Sequence, residues 1–137
     1  MSSKPETRFI KSVHDHIPRV YKEKMNNPFR CGTADVWYSG VLGDLWIEYK
    51  YVERIPKNAE IIPEVTSQQA KWLGNRFDEG RNVAVVLGVP TGGVIYRDRE
   101  WLKPLDPEIF ISCIVSRKAI AQWILAQVGV SKCQLLK

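Results

Sequence analysis

Cysteine is scarce in this sequence, and long apolar runs are absent from it. The three cysteines, Cys31, Cys113 and Cys133, are widely spaced and form no Cys-x-x-Cys pair, which argues against a disulfide framework and against a zinc knuckle. No apolar stretch reaches the roughly 18 residues that a membrane span needs, and no secretion-signal segment follows Lys4. Repeats and low-complexity tracts are missing as well. These absences predict a soluble, cytoplasmic protein with reduced thiols and a single domain over residues 1–137.

Acidic residues are outnumbered by basic ones, 15 against 20, which gives a formal charge of +5 and a pI near 9.2. Much of the excess lies in the first 34 residues. Such a balance suits a polyanionic partner, although many soluble domains carry a similar excess. The basic N-terminal segment therefore has two readings: a phosphate-binding ridge or a solvated helix face.

The spacing of apolar residues predicts seven elements in the order α-β-β-α-β-β-α. They are a helix from Ser3 to about Val20, strands Ala34–Tyr38 and Leu45–Val52, a helix from Thr66 that ends at Gly80, strands Asn82–Val89 and Gly93–Arg97, and a helix from about Ser116 to Val128. The nearly continuous apolar run of the third strand is typical of a strand covered on both faces. Residues Tyr21–Gly32 are predicted to form a basic loop. The fold class is therefore α/β, with a small mixed sheet flanked by helices.

Three residues in the first two strands carry the chemistry. Side chains alternate along a strand, so Glu48 and Lys50 project to one face together with Trp46. Asp35 comes from the neighbouring strand of the same hairpin and can converge with Glu48. Two adjacent carboxylates repel each other unless a cation lies between them, and hard oxygen ligands favour Mg²⁺ or Mn²⁺. The alternative reading is a surface ladder of Glu48 and Lys50, with Asp35 ending a turn.

The motif Gly32-Thr33-Ala34-Asp35, followed by Glu48-Tyr49-Lys50, resembles the PD-(D/E)XK nuclease superfamily. Ala34 stands where the superfamily usually has proline. Thr66-x-x-Gln69 and the apolar strand after Gly80 resemble a downstream helix and strand of the VRR-NUC and Holliday-junction-resolvase-like branches. The resemblance covers roughly residues 6–96 and implies a restriction-endonuclease-like core.

The resemblance also implies roles for individual residues. Asp35 and Glu48 would be metal ligands together with the backbone carbonyl of Tyr49, and Lys50 would be the catalytic lysine beside the attacking water. Gln69 matches the helix glutamine that supports the site or contacts phosphate, with the adjacent Gln68 as the alternative.

Glu6 corresponds to a first-helix acid that some members of the superfamily use to hold a metal-bound water or a second ion. Ser3-Lys4-Pro5-Glu6 also reads as a capping box with proline in the first turn. The two roles of Glu6 are compatible with each other.

The predicted function is that of a Mg²⁺-dependent (or Mn²⁺-dependent) DNA endonuclease that hydrolyses backbone phosphodiesters, selective for branched DNA or Holliday junctions. A homodimer would present paired sites to two strands, and a compact nuclease of this kind fits a phage by analogy. The alternative function is a non-catalytic nucleic-acid-binding module on the same scaffold, and a further alternative is a small α/β protein whose motif is accidental.

Overall fold

In the computed structural model, five strands form one sheet that has helices on both faces; residues 4–17, 20–25 and 32–130 are described. The elements follow one another as α1 (Pro5–His14), β1 (Tyr21–Lys24), β2 (Val36–Gly40), β3 (Gly43–Tyr51), α2 (Ser67–Asp78), β4 (Val83–Val89), β5 (Gly92–Tyr96), a 3-10 turn (Glu100–Leu102), α3 (Pro107–Cys113) and α4 (Arg117–Val128). The mixed α/β sheet that the sequence predicts is confirmed.

The strands lie in sequence order across the sheet, from β1 to β5. Neighbouring strands are antiparallel except β3 and β4, which run parallel. Because parallel neighbours need a crossover connection, the chain leaves β3, forms α2 on one face of the sheet, and returns as β4. This crossover brings the start of α2 over the end of β3.

Two apolar cores lie on the two faces of the sheet. Helices α1 and α4 pack on one face, where alternate β3 residues such as Ile47 and Tyr49 are buried. Helix α2 packs on the other face over β4, together with Phe110 of α3. Every residue of β4 is buried, as the continuous apolar run predicts. Glu48 therefore points toward α2 and not toward α1.

Three predicted elements need correction. The first helix ends at His14 and not at Val20, and it is followed by two tighter 3-10-type hydrogen bonds from His16 and Ile17; the Pro18 of the sequence disfavours a helical Ile17. Part of the predicted basic loop is strand β1. Its Tyr-Lys-Glu-Lys sequence lacks the alternation of apolar and polar residues that predicts a strand. Helix α3 is not among the seven elements that the apolar spacing predicts, since its seven residues carry too little periodicity.

The predicted capping box of α1 is also wrong. Lys4 is the N-cap, no side chain caps the helix, and Glu6 lies in the first turn. Ser3 is outside the described residues, as are Cys31 and Cys133.

The described cysteine, Cys113, is free and exposed. Across the described ranges, no helix combines the length and apolar character required to cross a membrane.

Candidate active site

Glu48 is the one charged side chain that is buried among the described residues, with 1% of its surface exposed. Its Oε2 accepts hydrogen bonds from the Lys50 ammonium at 3.3 Å and from the Gln69 amide at 3.1 Å. Its Oε1 is shielded from solvent and has no donor to accept from while both carboxyl groups are ionised; it can share a hydrogen bond with Asp35 only when one of the two groups carries a proton. A buried acceptor without a partner costs free energy, so this oxygen faces a position that a cation or a proton would stabilise.

Asp35 lies immediately before β2, on the same face of the sheet as Glu48. The antiparallel register pairs Val36 with Ile47, so one further step along the two strands sets Asp35 opposite Glu48. Directly opposed side chains have Cβ atoms about 4.5–5.5 Å apart. The Asp35 Oδ2 accepts a hydrogen bond of 2.9 Å from the backbone N–H of Tyr49, which fixes the carboxylate beside Glu48.

Burial raises the pKa of Glu48 to about 8. The negative charge of Asp35 adds to the shift, while the Lys50 ammonium opposes it. Two carboxylates that are held together in a poorly solvated place cannot both ionise without compensation. The compensation is either a proton on Glu48 or a cation between the two groups. Carboxylate and carbonyl oxygens are the ligands that Mg²⁺ and Mn²⁺ prefer, so the donor set fits such an ion.

Gln69 reaches Glu48 because of the way in which α2 begins. Thr66 is the N-cap of the helix, and Gln69 completes a capping box: the Gln69 N–H donates to the Thr66 Oγ1 at 3.1 Å, and the Thr66 N–H donates to the Gln69 Oε1 at 3.0 Å. With Oε1 committed to the cap, the NH₂ end of the amide points to Glu48. Gln68 is exposed. Of the two glutamines, Gln69 is thus the one in contact with the site.

Gly32 opens the motif that the sequence analysis describes, but its packing role is not predicted there. Its φ is +90°, and a Cβ at this position would lie 2.6 Å from the Gln68 carbonyl oxygen. Glycine therefore allows the loop before Asp35 to approach the first turn of α2 closely. The signal in the sequence for this close approach is the glycine itself, three residues before Asp35.

Glu6 lies near Asp35 but does not join the Glu48 cluster as a third carboxylate. Burial raises the pKa of Glu6, and the charge of Asp35 raises it further, against the lowering effect of Lys50 and of Lys24 and Lys4. Glu6 and Asp35 line the same cleft of about 470 Å³, together with Lys4, Thr7, Ile10, Lys24 and Met25. Within residues 4–17, 20–25 and 32–130, no three His, Cys, Asp or Glu side chains are grouped to hold a metal ion.

The sequence-derived site residues are thus brought together unequally. Asp35, Glu48, Lys50 and Gln69 converge at the ends of β2 and β3 under the first turn of α2. Tyr49 contributes its backbone there, while its side chain lies in the opposite core. Glu6 lies near Asp35 on the α1 side and has no interaction with Glu48 among the described residues.

Comparison with known proteins adds a fold relationship. No protein-family model matches this chain, and no curated protein sequence matches it. Among solved structures, it is similar to the Holliday junction resolvase Hjc from the archaeal hyperthermophile Archaeoglobus fulgidus, with a TM-score of 0.52 and 14% sequence identity over 87% of this chain and 97% of that chain. At this identity the likeness establishes the fold. The restriction-endonuclease-like fold that the sequence resemblance implied is confirmed.

Proposed function

We propose that this chain is a divalent-metal-dependent nuclease that hydrolyses backbone phosphodiesters of DNA, with branched DNA as its substrate. One observation carries the proposal: a buried Glu48 oxygen without a hydrogen-bond donor, beside a second carboxylate and a lysine. A stability role alone would favour an apolar residue at this position of β3, since an incompletely paired buried carboxylate is costly.

The residues that would hold the ion are Asp35, Glu48 and the backbone carbonyl of Tyr49. Mg²⁺ or Mn²⁺ bound there would polarise the phosphate and lower the pKa of a bound water. Glu6, half-buried on the other side of Asp35, would act through a water or a second ion. The Tyr49 N–H keeps the Asp35 Oδ2 in place, so the other oxygen of this carboxylate is the one available as a ligand.

Lys50 and Gln69 act on the reacting groups and on Glu48. The Lys50 ammonium, 3.3 Å from Glu48 and 19% exposed, can hydrogen-bond the attacking water and offset the charge that develops on the phosphate oxygens. Gln69 donates to the same Glu48 oxygen as Lys50, which leaves the other oxygen for the metal.

DNA, and branched DNA in particular, is proposed on two grounds. The chain is basic, with a formal charge of +5, which favours a polyanion. Its fold is shared with a protein described as a Holliday junction resolvase. A homodimer would address two strands of a branched substrate at once. Membership of the VRR-NUC branch and a cytoplasmic location belong to the same proposal.

The test is a cleavage assay with a four-way junction and a linear duplex of the same arm sequence, each in Mg²⁺, Mn²⁺ or EDTA. We expect metal-dependent cleavage that favours the junction. Glu48→Ala and Lys50→Ala should each reduce the rate by about 100-fold or more. The exposed Glu60→Ala and Lys57→Ala are matched controls that should cleave as the wild type does.

Other outcomes separate the competing functions. Junction binding without cleavage in any metal would favour the non-catalytic binding module. Neither binding nor cleavage would mean that the motif is accidental. Cleavage that persists equally in Glu48→Ala would remove this carboxylate from the chemistry.

A further inference from the structure

Three tryptophans form a cluster directly beside the candidate active site. Trp46 lies on β3 two residues before Glu48 and projects from the same face. Trp37 is its partner across the hairpin, and the two rings stack with centroids 5.8 Å apart and an interplanar angle of 19°. Trp72 of α2 meets Trp46 edge to face at 5.4 Å and 67°. Trp37, Trp46 and Trp72 are called the tryptophan cluster below.

The tryptophan cluster is only partly covered by the protein. All three side chains are of intermediate exposure, whereas Trp101, which serves the core, is 1% exposed. Large aromatic rings contribute most to stability when they are fully buried. Trp46 and Trp72 also pack against the core on this face, but the part of the cluster that stays exposed offers aromatic surface to a flat ligand.

Two elements tie the tryptophan cluster to the carboxylates. Trp46 and Glu48 are two residues apart on one strand face, about 7 Å along β3. Gln69 and Trp72 are three residues apart on α2, one helical turn, and Gln69 contacts Glu48. A nucleotide whose phosphate lies at Glu48 thus has its neighbouring base within reach of the indoles.

The charge next to the tryptophan cluster is consistent with a nucleic acid. The Arg76 guanidinium lies over the Trp72 ring at 5.6 Å and forms a two-pronged ion pair with Glu79. Lys50 lies on the Glu48 side. Both cations are paired with carboxylates, Lys50 with Glu48 and Arg76 with Glu79, so the surface favours a ligand through its aromatic faces first. A nucleotide offers a flat base to those faces and an anionic backbone that can compete for the partly exposed Arg76.

We infer that the tryptophan cluster binds an unpaired nucleobase that flanks the phosphodiester held at Glu48. Bases inside a duplex are stacked on each other and do not present their faces, so the ligand is a base in a single-stranded arm or at an opened branch point. The inference rests on the proposed function for the position of the phosphate. It adds a substrate class: DNA with unpaired nucleotides next to the cleavage site.

The test measures binding in EDTA, without cleavage, by fluorescence anisotropy. The probes are a labelled duplex and the same duplex with a single-stranded oligothymidine arm. Stacking of one base on an aromatic ring contributes about 1–3 kcal/mol, so Trp72→Leu should weaken binding of the arm-bearing probe by about tenfold and leave the duplex unchanged. Trp72→Phe should recover part of the loss. Trp123→Leu is the matched control, because Trp123 packs on the opposite face of the sheet with Arg97 over its ring.

Two results would overturn the inference. In one, Trp72→Leu weakens binding of both probes equally; in the other, it weakens binding of neither. Thermal unfolding of each variant shows whether it folds. If Trp72→Leu does not fold, the same binding comparison is made with Trp72→Phe. Failure of the proposed function looks different: the wild type would bind the arm through Trp72 and yet cut nothing in Mg²⁺. Cleavage with no dependence of arm binding on Trp72 would leave the proposed function standing and remove the inference alone.

Discussion

At Glu48, burial and the proposed metal binding make opposite demands on one carboxyl group. Burial, assisted by the charge of Asp35, raises its pKa to about 8, so the metal-free protein holds a proton there at neutral pH. A metal ligand has to be deprotonated. Binding of the ion should therefore release a proton near pH 7, and the affinity for Mg²⁺ should rise as the pH approaches 8.

Glu48→Gln separates these demands. The unfolded chain loses the Glu48 proton near its usual pKa of 4.5, while the folded protein keeps it until about 8. The folded state binds more protons in this window, so its stability falls as the pH rises through it. In EDTA, the melting temperature of Glu48→Gln relative to the wild type should therefore increase between pH 5 and pH 8.5.

Mg²⁺ at pH 8 should raise the melting temperature of the wild type and leave that of Glu48→Gln unchanged. The exposed Glu60→Gln serves as the control and should follow the wild type. Parallel melting curves for the wild type and Glu48→Gln at all pH values would contradict the assignment of this titration to Glu48.

How far the sequence predicts the site differs from residue to residue. Glu48 and Lys50 follow from the two-residue period of a strand and needed no tertiary information. Asp35 required the hairpin register, which depends on the turn and on the partner strand. The contact of Trp72 with Trp46 joins α2 to β3, two elements distant in sequence, and no local pattern encodes it.

At the scale of elements, the first turn of α2 supports both the helix and the site. Thr66→Ala removes the acceptor for the Gln69 N–H and should lower the free energy of unfolding by about 1 kcal/mol. The Thr66 N–H still donates to the Gln69 Oε1 in this variant, so the cleavage rate should fall only as far as the weakened first turn loosens the position of Gln69. Ser67→Ala, next in the chain and exposed, should leave both unchanged within error. Denaturant unfolding and a cleavage assay measure the two effects, and equal behaviour of the two variants would argue against the cap.

The contact between α1 and β4 depends on a glycine. A Cβ at Gly88 would lie 2.7 Å from the Phe9 ring, and the rings of Tyr49 and Tyr51 and the guanidinium of Arg117 surround Phe9. Gly88→Ala should therefore lower the stability by about 1–3 kcal/mol through overpacking.

Phe9→Leu in the same chain should recover part of the stability that Gly88→Ala loses, because the smaller side chain makes room for the methyl group. A double-mutant cycle measured by denaturant unfolding gives the coupling between the two positions. Strict additivity of the two losses would show that the methyl group does not meet the ring.

Elements with strong periodicity were predictable, and those defined by their partners were not. Helix α4 and strand β4 follow from their own apolar patterns. Strand β1 exists because its backbone pairs with β2, from Tyr21 opposite Ser39 to Lys24 opposite Val36, although its side chains are mostly charged. Main-chain pairing of this kind leaves no mark in the amino-acid pattern.

At the scale of the whole molecule, a buried hydrogen-bond chain joins α1 to the sheet. The His14 Nε2 lies 2.8 Å from the Tyr38 hydroxyl, which lies 2.5 Å from the Tyr49 hydroxyl. Burial lowers the pKa of His14 to about 4, and the nearby charges of Lys22 and Lys24 add to the effect against Asp15. His14 is therefore neutral in the folded protein at pH 6.

Acid should destabilise the protein through His14. Between pH 6.5 and pH 4 the unfolded chain binds a proton at His14 and the folded chain does not, so stability falls as the pH falls through this range. In His14→Gln, which keeps an acceptor for Tyr38 without titrating, the melting temperature should fall less between pH 7 and pH 4.5. His16→Gln is the exposed control and should behave as the wild type. An unchanged acid dependence in His14→Gln would assign the loss to other groups.

The hydrogen bond from the Tyr49 amide to Asp35 has a consequence for exchange with solvent deuterium. Strand β2 ends at Val36, and beyond it the side chain of Asp35, not a main-chain carbonyl, accepts this amide proton on the β2 side of β3. Protection of the Tyr49 amide against exchange therefore depends on how firmly the side chain of Asp35, a proposed metal ligand, is held in place. Addition of Mg²⁺ should slow deuterium uptake at Tyr49 more than at Ile47, whose neighbours on both sides are regular strands. The occupancy of the proposed metal site would then be readable from a single amide.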